Sequence, residues 1–146
     1  LGPTQTTMPY GNFENSFNLP FLADACGAVY VARWTVYHVK QLAKAMLEGL
    51  KKKGFVFIEA MSPCPTLYSR RNRLGDGIDQ LKYYKEKSVT RNDADTKEVG
   101  LGFQSDIIVG KFVDRERPTW LEAMNEHFGR VLGDRYTPYG ATDGQD

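Results

Sequence analysis

The residues of this chain best placed to do chemistry are one cysteine and the arginines that follow it. Cys64 stands between two prolines in Ser62-Pro63-Cys64-Pro65-Thr66, directly after the apolar run Phe55-Val56-Phe57-Ile58-Glu59-Ala60. The ring of Pro65 and the restriction it places on the preceding residue bar this segment from a helix interior. The sulfur is therefore aimed by the backbone rather than packed by chance. Arg70, Arg71 and Arg73 follow within a few residues. Nearby cations favour the ionised thiol, and a thiolate either ligates metal or attacks an electrophile. Attack needs a base beside the sulfur, and no His or second Cys is placed to serve, which leaves metal ligation. For Arg70 and Arg71 two readings stand: bidentate partners of an anion, or a solvated loop with surface ion pairs.

Positioning such a loop falls to the elements before it. Ala28-Val29-Tyr30-Val31-Ala32-Arg33 is a short apolar run with β-branched and aromatic members, bounded by Gly27 and by Trp34-Thr35, which predicts a buried strand. Val39, Leu42, Ala43, Met46, Leu47 and Leu50 then recur at helical spacing, with Thr35 placed to cap the start. Lys51, Lys52 and Lys53 sit where cations suit a helix C-terminus, and Gly54 closes it. Phe55 to Ala60 is the next strand. Strand, helix, strand makes a βαβ unit with parallel strands. Ligand sites in such sheets lie beyond the carboxyl ends of the strands, which selects two loops: Arg33-Trp34-Thr35 and Ser62 to Asn72. His38 has no His or Cys partner at a metal-ligand spacing and is assigned a structural or capping role.

Upstream, Asn18 is placed to cap a short helix carrying Pro20 in its first turn and ending at Gly27. Cys26, in its last turn, is expected to pack as a small buried hydrophobe. Downstream, Asp76 caps a helix running to about Lys87. Gly75-Asp76-Gly77 also has the letters of a diphosphate and magnesium motif, but that motif requires a strand before it, and Arg70 to Leu74 is none. Ser88 to Lys97 is read as a polar loop, Ile107 to Val113 as a strand, and Pro118 as the opening of a last helix with Trp120, Leu121, Met124, Phe128, Val131 and Leu132 on one apolar face. Tyr136 to Asp146 is expected to be a tail lying on a partner or in solvent.

The totals agree with one α/β domain or part of one. The chain has 146 residues, 41% hydrophobic and 25% charged, with a net charge of +1. That composition disfavours disorder and bulk electrostatic binding of nucleic acid, and the arginines at 70, 71 and 73 make a weak footprint for it. No apolar run approaches the roughly 20 residues of a membrane span, and two cysteines are too few for a secreted disulfide scaffold, so a cytoplasmic setting is expected. The chain opens at Leu1 in a turn-rich segment without an initiator Met, which reads as a fragment, a processed product or the product of a split gene.

In order and spacing, these residues resemble the β subunit of the 2-oxoacid:ferredoxin oxidoreductases, most closely the 2-oxoglutarate branch. The resemblance is carried by Gly2-Pro3-Thr4-Gln5-Thr6-Thr7-Met8-Pro9-Tyr10-Gly11, by Gly27 to Arg33, by Ser62 to Thr66, and by Arg70-Arg71-Asn72. Leu81-Lys82-Tyr83-Tyr84-Lys85, Val109 to Val113 and Arg115-Glu116-Arg117-Pro118 extend it over nearly the whole chain. The opening loop departs from the family's usual Ser-Pro-Thr-Thr-Pro.

The resemblance implies the C-terminal half of a thiamine-diphosphate-binding fold over residues 1–61, with a smaller C-terminal α/β extension over residues 62–146. It implies an enzyme that oxidatively decarboxylates a 2-oxoacid to an acyl-CoA and passes electrons through a [4Fe-4S] cluster to ferredoxin. Its cofactors would be thiamine diphosphate, magnesium and the cluster, and its partners an α subunit, ferredoxin, coenzyme A and the 2-oxoacid. Cys64 would be one of four cluster ligands, while Thr4, Thr6 and Thr7, with Arg33, would line the thiamine side. No catalytic base is named within the chain. A cluster needs four ligands, so the other three are expected from sequence outside this chain, which alone is expected to be inactive. The alternative is a cofactor-free interaction module from a truncated or split gene.

Overall fold

A computed structural model describes residues 3–102 and 105–140. Leu1 and Gly2 of the opening loop and residues 141–146 of the expected tail lie outside the described residues. Helix α1 (Leu19–Ala25) is capped by Asn18, whose side chain accepts from the Phe21 amide, with Pro20 in the first turn as expected. Strand β1 (Tyr30–Thr35) leads to α2 (Val39–Leu50) and to β2 (Val56–Met61), and β1 and β2 pair in parallel from Tyr30–Val56 to Thr35–Met61. The expected βαβ unit is present. Both strands begin one or two residues later than the apolar runs suggest, so Arg33, Trp34 and Thr35 belong to β1 and not to a loop after it.

After β2 a wide turn spans Pro65–Ser69, and α3 (Gly77–Lys87) follows, capped by a reciprocal box between Asp76 and Asp79. Ser88 to Lys97 is not all loop. It contains a short strand β3 (Ser88–Thr90) and a single helical turn at Thr96–Glu98. Strand β4 (Ile107–Asp114) pairs parallel with β3 and antiparallel with β1, so the sheet runs β2-β1-β4-β3: the parallel pair of the βαβ unit is extended by an antiparallel neighbour whose direction the sequence left open. β4 enters between β1 and β3 with a bulge at Phe112, opposite Val31/Ala32, and two residues before it Gly110, the partner of Arg33, takes φ +151. A Cβ there would lie 2.6 Å from the Arg91 carbonyl oxygen, so the close approach of the 91–93 loop depends on glycine.

β1 is buried on every residue, and its alternation divides the core. Tyr30, Ala32 and Trp34 join Ala45 of α2, Tyr84 of α3, Ile107 and Val109 on one face. Val31 joins Ala23 of α1, Val99, Phe112 and Val113 on the other. Helix α2 meets the sheet through its small residues. Ala45 and Gly49 are buried, and a Cβ on Gly49 would lie 2.9 Å from Val56 Cγ1. Of the expected apolar stripe, Leu42 packs against this core, while Val39, Met46, Leu47 and Leu50 turn away from the sheet and are exposed.

Helix α4 (Trp120–Leu132) starts two residues after Pro118, which was expected to open it, because Thr119 is its cap, in a reciprocal box with Glu122. None of its residues is buried, and Trp120, Val131, Phe128 and Leu132 are exposed. Ion pairs from Lys53 to Glu122 (2.5 Å) and from Lys52 to Glu116 tie this region to the end of α2. The described part of the tail folds back on α4: Tyr136 donates its hydroxyl to Asn125 Oδ1 (2.7 Å), and Asn125 Nδ2 donates to the Tyr139 carbonyl (3.0 Å). No helix among the described residues is long and apolar enough to cross a membrane.

Candidate functional site

The carboxyl end of β2 delivers the chain straight into Ser62–Pro65. Pro65 suits the first position of a helical turn, having no N–H to satisfy, and the turn that follows closes wide, with the Ser69 amide donating to the Cys64 carbonyl (3.0 Å). Ser69 is fully buried at its base. Cys64 stands at the N-terminal cap position with its thiol exposed. Its Sγ makes no well-formed cap hydrogen bond, yet the amides of Tyr68, Leu67 and Thr66 face it and hold the thiol below its ordinary pKa. The arginines are not the cause. Arg71 borders the same groove as Cys64 and Arg70 does not, and neither forms an ion pair among the described residues.

The opening loop comes to the same place. Gln5 and Met8 exchange backbone hydrogen bonds (3.1 and 3.2 Å), and the Asn12 amide donates to the Pro3 carbonyl (3.2 Å), so residues 3–12 close on themselves. Between this loop and the turn lies an open groove of about 260 Å³. Thr4, Gln5, Thr6 and Thr7 form one wall, and Cys64, Leu67, Tyr68 and Arg71 form the other. The threonines and the cysteine, separated by almost sixty positions in the chain, thus share one cavity.

What joins the walls is Asn72, the last residue of the Ser62–Asn72 loop, to which the sequence assigns no role of its own. Its Oδ1 accepts from the Thr4 amide (2.8 Å) and from Thr4 Oγ1 (3.1 Å), while its Nδ2 donates to the Thr4 carbonyl (3.0 Å) and to the Tyr68 carbonyl (2.9 Å). Gln5 stands between the expected Thr4 and Thr6, and Leu67 and Tyr68 lie in the expected Ser62–Asn72 loop, but no spacing pattern marks any of the three individually. Burial pushes the Tyr68 phenol up.

Other expected roles fall elsewhere. Arg33 does not line the groove. It is completely buried within β1, with Nε on Glu59 Oε2 (2.7 Å) and Nη1 on the Val99 carbonyl (2.6 Å). Its task is to cross-link strands. His38 caps α2 by position, shares a 2.9 Å hydrogen bond with Thr35 Oγ1, and packs tilted against Trp34 and edge-on to Tyr37, with its pKa lowered by burial. Thr35 thus acts through His38 rather than as the cap. Cys26 is exposed, not buried, because α1 ends there and turns its last residue outward. Among the described residues no three His, Cys, Asp or Glu side chains gather as a metal site. A cluster needs four ligands, and Cys64 supplies a single exposed, thiolate-favouring donor that fits one of them.

No protein-family model matches the chain. It is similar to 2-oxoglutarate synthase subunit KorB of Methanothermobacter marburgensis, 45% identical over 120 residues, covering 80% of this chain and 41% of that one. It is similar to the subunit of the same name from Methanocaldococcus jannaschii, 44% identical over 126 residues, covering 86% and 46%. A 2-oxoacid:ferredoxin oxidoreductase subunit beta of Saccharolobus solfataricus is 32% identical over 95 residues, covering 65% and 28%. The fold is that of a solved 2-oxoglutarate:ferredoxin oxidoreductase from Magnetococcus marinus with 2-oxoglutarate, coenzyme A and succinyl-CoA bound, at a TM-score of 0.66 and 22% identity, covering 95% of this chain and 47% of that one. The chain spans less than half the length of the curated relatives it matches. Over the part it spans, the chain belongs to the β-subunit family of the 2-oxoacid:ferredoxin oxidoreductases.

Proposed function

We propose that this chain forms the C-terminal half of a β subunit in an enzyme that oxidatively decarboxylates a 2-oxoacid, 2-oxoglutarate being favoured by its relatives, to an acyl-CoA with ferredoxin as electron acceptor. Residues 1–61 belong on this reading to the thiamine-diphosphate-binding unit, and residues 62–146 to an extension whose β4 folds back into its sheet. The observation that carries the reading is the groove that places Cys64 opposite Thr4, Thr6 and Thr7.

Cys64 serves as one of four ligands of a [4Fe-4S] cluster. Its exposure leaves the sulfur free to bond, and the Tyr68, Leu67 and Thr66 amides favour the thiolate that ligation needs. The wide turn fixes where that sulfur stands. On the opposite wall the hydroxyls of Thr4, Thr6 and Thr7 offer donors and acceptors to thiamine diphosphate and its magnesium. When bound, thiamine diphosphate supplies carbanion stabilisation for decarboxylation and the cluster accepts electrons singly. The remaining cluster ligands and an α subunit come from other polypeptide, and coenzyme A is the acyl acceptor. Two exposed, unpaired cysteines suit a reducing, cytoplasmic setting.

The test is to produce the chain together with the rest of the β subunit and its α partner, and to follow ferredoxin reduction. The reading expects reduction that requires both coenzyme A and a 2-oxoacid, fastest with 2-oxoglutarate. A purified complex that binds thiamine diphosphate but fails to reduce ferredoxin when any of several 2-oxoacids is supplied with coenzyme A refutes it.

A further inference from the structure

We propose that Asn72 is a positioning residue of the 2-oxoacid site: its side-chain amide clasps Thr4 and so holds the Thr4–Thr7 loop across the groove from Cys64. The proposal rests on the reading of the groove given above. An asparagine side chain presents the same donor and acceptor pair as a peptide group. Here it pairs with both the N–H and the C=O of Thr4, as a neighbouring strand would, and adds a third bond from Thr4 Oγ1.

A plain role in finishing the helical turn would need only the bond from Nδ2 to the Tyr68 carbonyl. Three of the four hydrogen bonds instead reach a residue 68 positions away. Among the described residues, the other backbone hydrogen bonds of residues 3–12 stay within that segment. Asn72 is therefore the polar tether between the two walls. The same side chain grips the carbonyl of Tyr68, a residue of the wall that carries Cys64, so movement of either wall is felt by the other. Asp at this position keeps the acceptor and loses the donor. Ala loses both, and Val at position 4 loses only the hydroxyl bond.

The experiment compares wild type, Thr4→Val, Asn72→Asp and Asn72→Ala in the complete enzyme. It reads amide hydrogen exchange in residues 3–12, iron content, and kcat and KM for 2-oxoglutarate. Asn72→Ala is expected to exchange about tenfold faster in residues 3–12, the factor for losing hydrogen bonds of ordinary net strength, and to lose about tenfold in kcat. Iron content and exchange in α2 and α3 stay at wild-type levels, and Asn72→Asp and Thr4→Val fall between. Unchanged exchange in residues 3–12 overturns the clasp, and exchange that rises alike in α2 and α3 reduces Asn72 to a folding residue. If Asn72→Ala does not assemble, Asn72→Asp and Thr4→Val decide, and wild-type exchange and kcat in both overturn the proposal. A wild-type complex inactive on every 2-oxoacid overturns the site assignment, while the exchange series still decides whether Asn72 tethers the loop.

Discussion

Removing the carboxylate of Glu59 isolates a buried charge at the centre of the sheet. Arg33 is 0% exposed, and its guanidinium is held by Glu59 Oε2 at 2.7 Å, the Val99 carbonyl at 2.6 Å and the Ile108 carbonyl at 3.4 Å. Nη2 has no partner among the described residues. In Glu59→Ala the carbonyls remain and the counter-charge is gone. Breaking a buried pair from one side costs about 3–5 kcal/mol, and the 15% exposure of the Glu59 side chain admits water and argues for the lower end, about 3 kcal/mol. Against a total of about 5–15 kcal/mol for a folded domain, that is a large share, and it corresponds to a fall in Tm of roughly 10 °C. The double variant Arg33→Met, Glu59→Leu removes both charges and should recover most of the loss, leaving about 1–2 kcal/mol for the Val99 carbonyl deprived of its donor. Equilibrium urea unfolding followed by circular dichroism measures all three proteins. Glu59→Ala within about 1 kcal/mol of wild type, or a double variant less stable than the single one, refutes the assignment of Arg33 as a charge-compensated cross-link.

Gly110→Ala should destabilise the chain by about 2–4 kcal/mol in the same assay, because the new Cβ meets backbone at 2.6 Å and the residue is held at φ +151; a loss below about 1 kcal/mol means the 91–93 loop yields freely. Lys111 and then Lys52 hold the Asp114 carboxyl below its ordinary pKa. Its contribution is thus complete above the unfolded value of about 3.9 and is lost as pH falls through the depressed one. Stability measured from pH 6 to pH 2 should fall less steeply in Asp114→Asn than in wild type, and parallel curves contradict the pairing. In a cluster-free Cys26→Ser chain, Cys64 alkylation should rise with pH at a midpoint below the usual free-thiol value of about 8.5, because the Tyr68, Leu67 and Thr66 amides favour the thiolate. A midpoint at or above that value removes the role given to those amides.

Local rules were legible where the signal is local. Asn18 and Asp76 cap the helices their side chains announce, and the run from Ala28 to Arg33 leads into the buried central strand Tyr30–Thr35 with its parallel neighbour. Reading failed where a distant partner decides. The apolar stripe of α2 promised a buried face, but Ala45 and Gly49 let the helix approach β2 more closely than any stripe of large side chains could. Nothing in Ile107–Asp114 tells that it runs antiparallel to β1, since both faces are apolar in either direction. Arg33 looked like a loop residue because a charge after an apolar run usually marks an end; its partner Glu59 is contributed by the neighbouring strand. Of the groove, Cys64 was legible through its two prolines. Thr4, Thr6 and Thr7 were legible through a family likeness, and Asn72 only as the end of the Ser62–Asn72 loop, because its own role lies in a residue 68 positions earlier.

The central claim is that Cys64 ligates a cluster in a 2-oxoacid oxidoreductase, and the most direct measurement is iron content and ferredoxin reduction in the complete enzyme carrying Cys64→Ala, beside Cys26→Ala. The account predicts that Cys64→Ala loses the reduced cluster's electron paramagnetic resonance signal and all ferredoxin reduction, while Cys26→Ala keeps both. Full iron content and unchanged electron transfer in Cys64→Ala would contradict it.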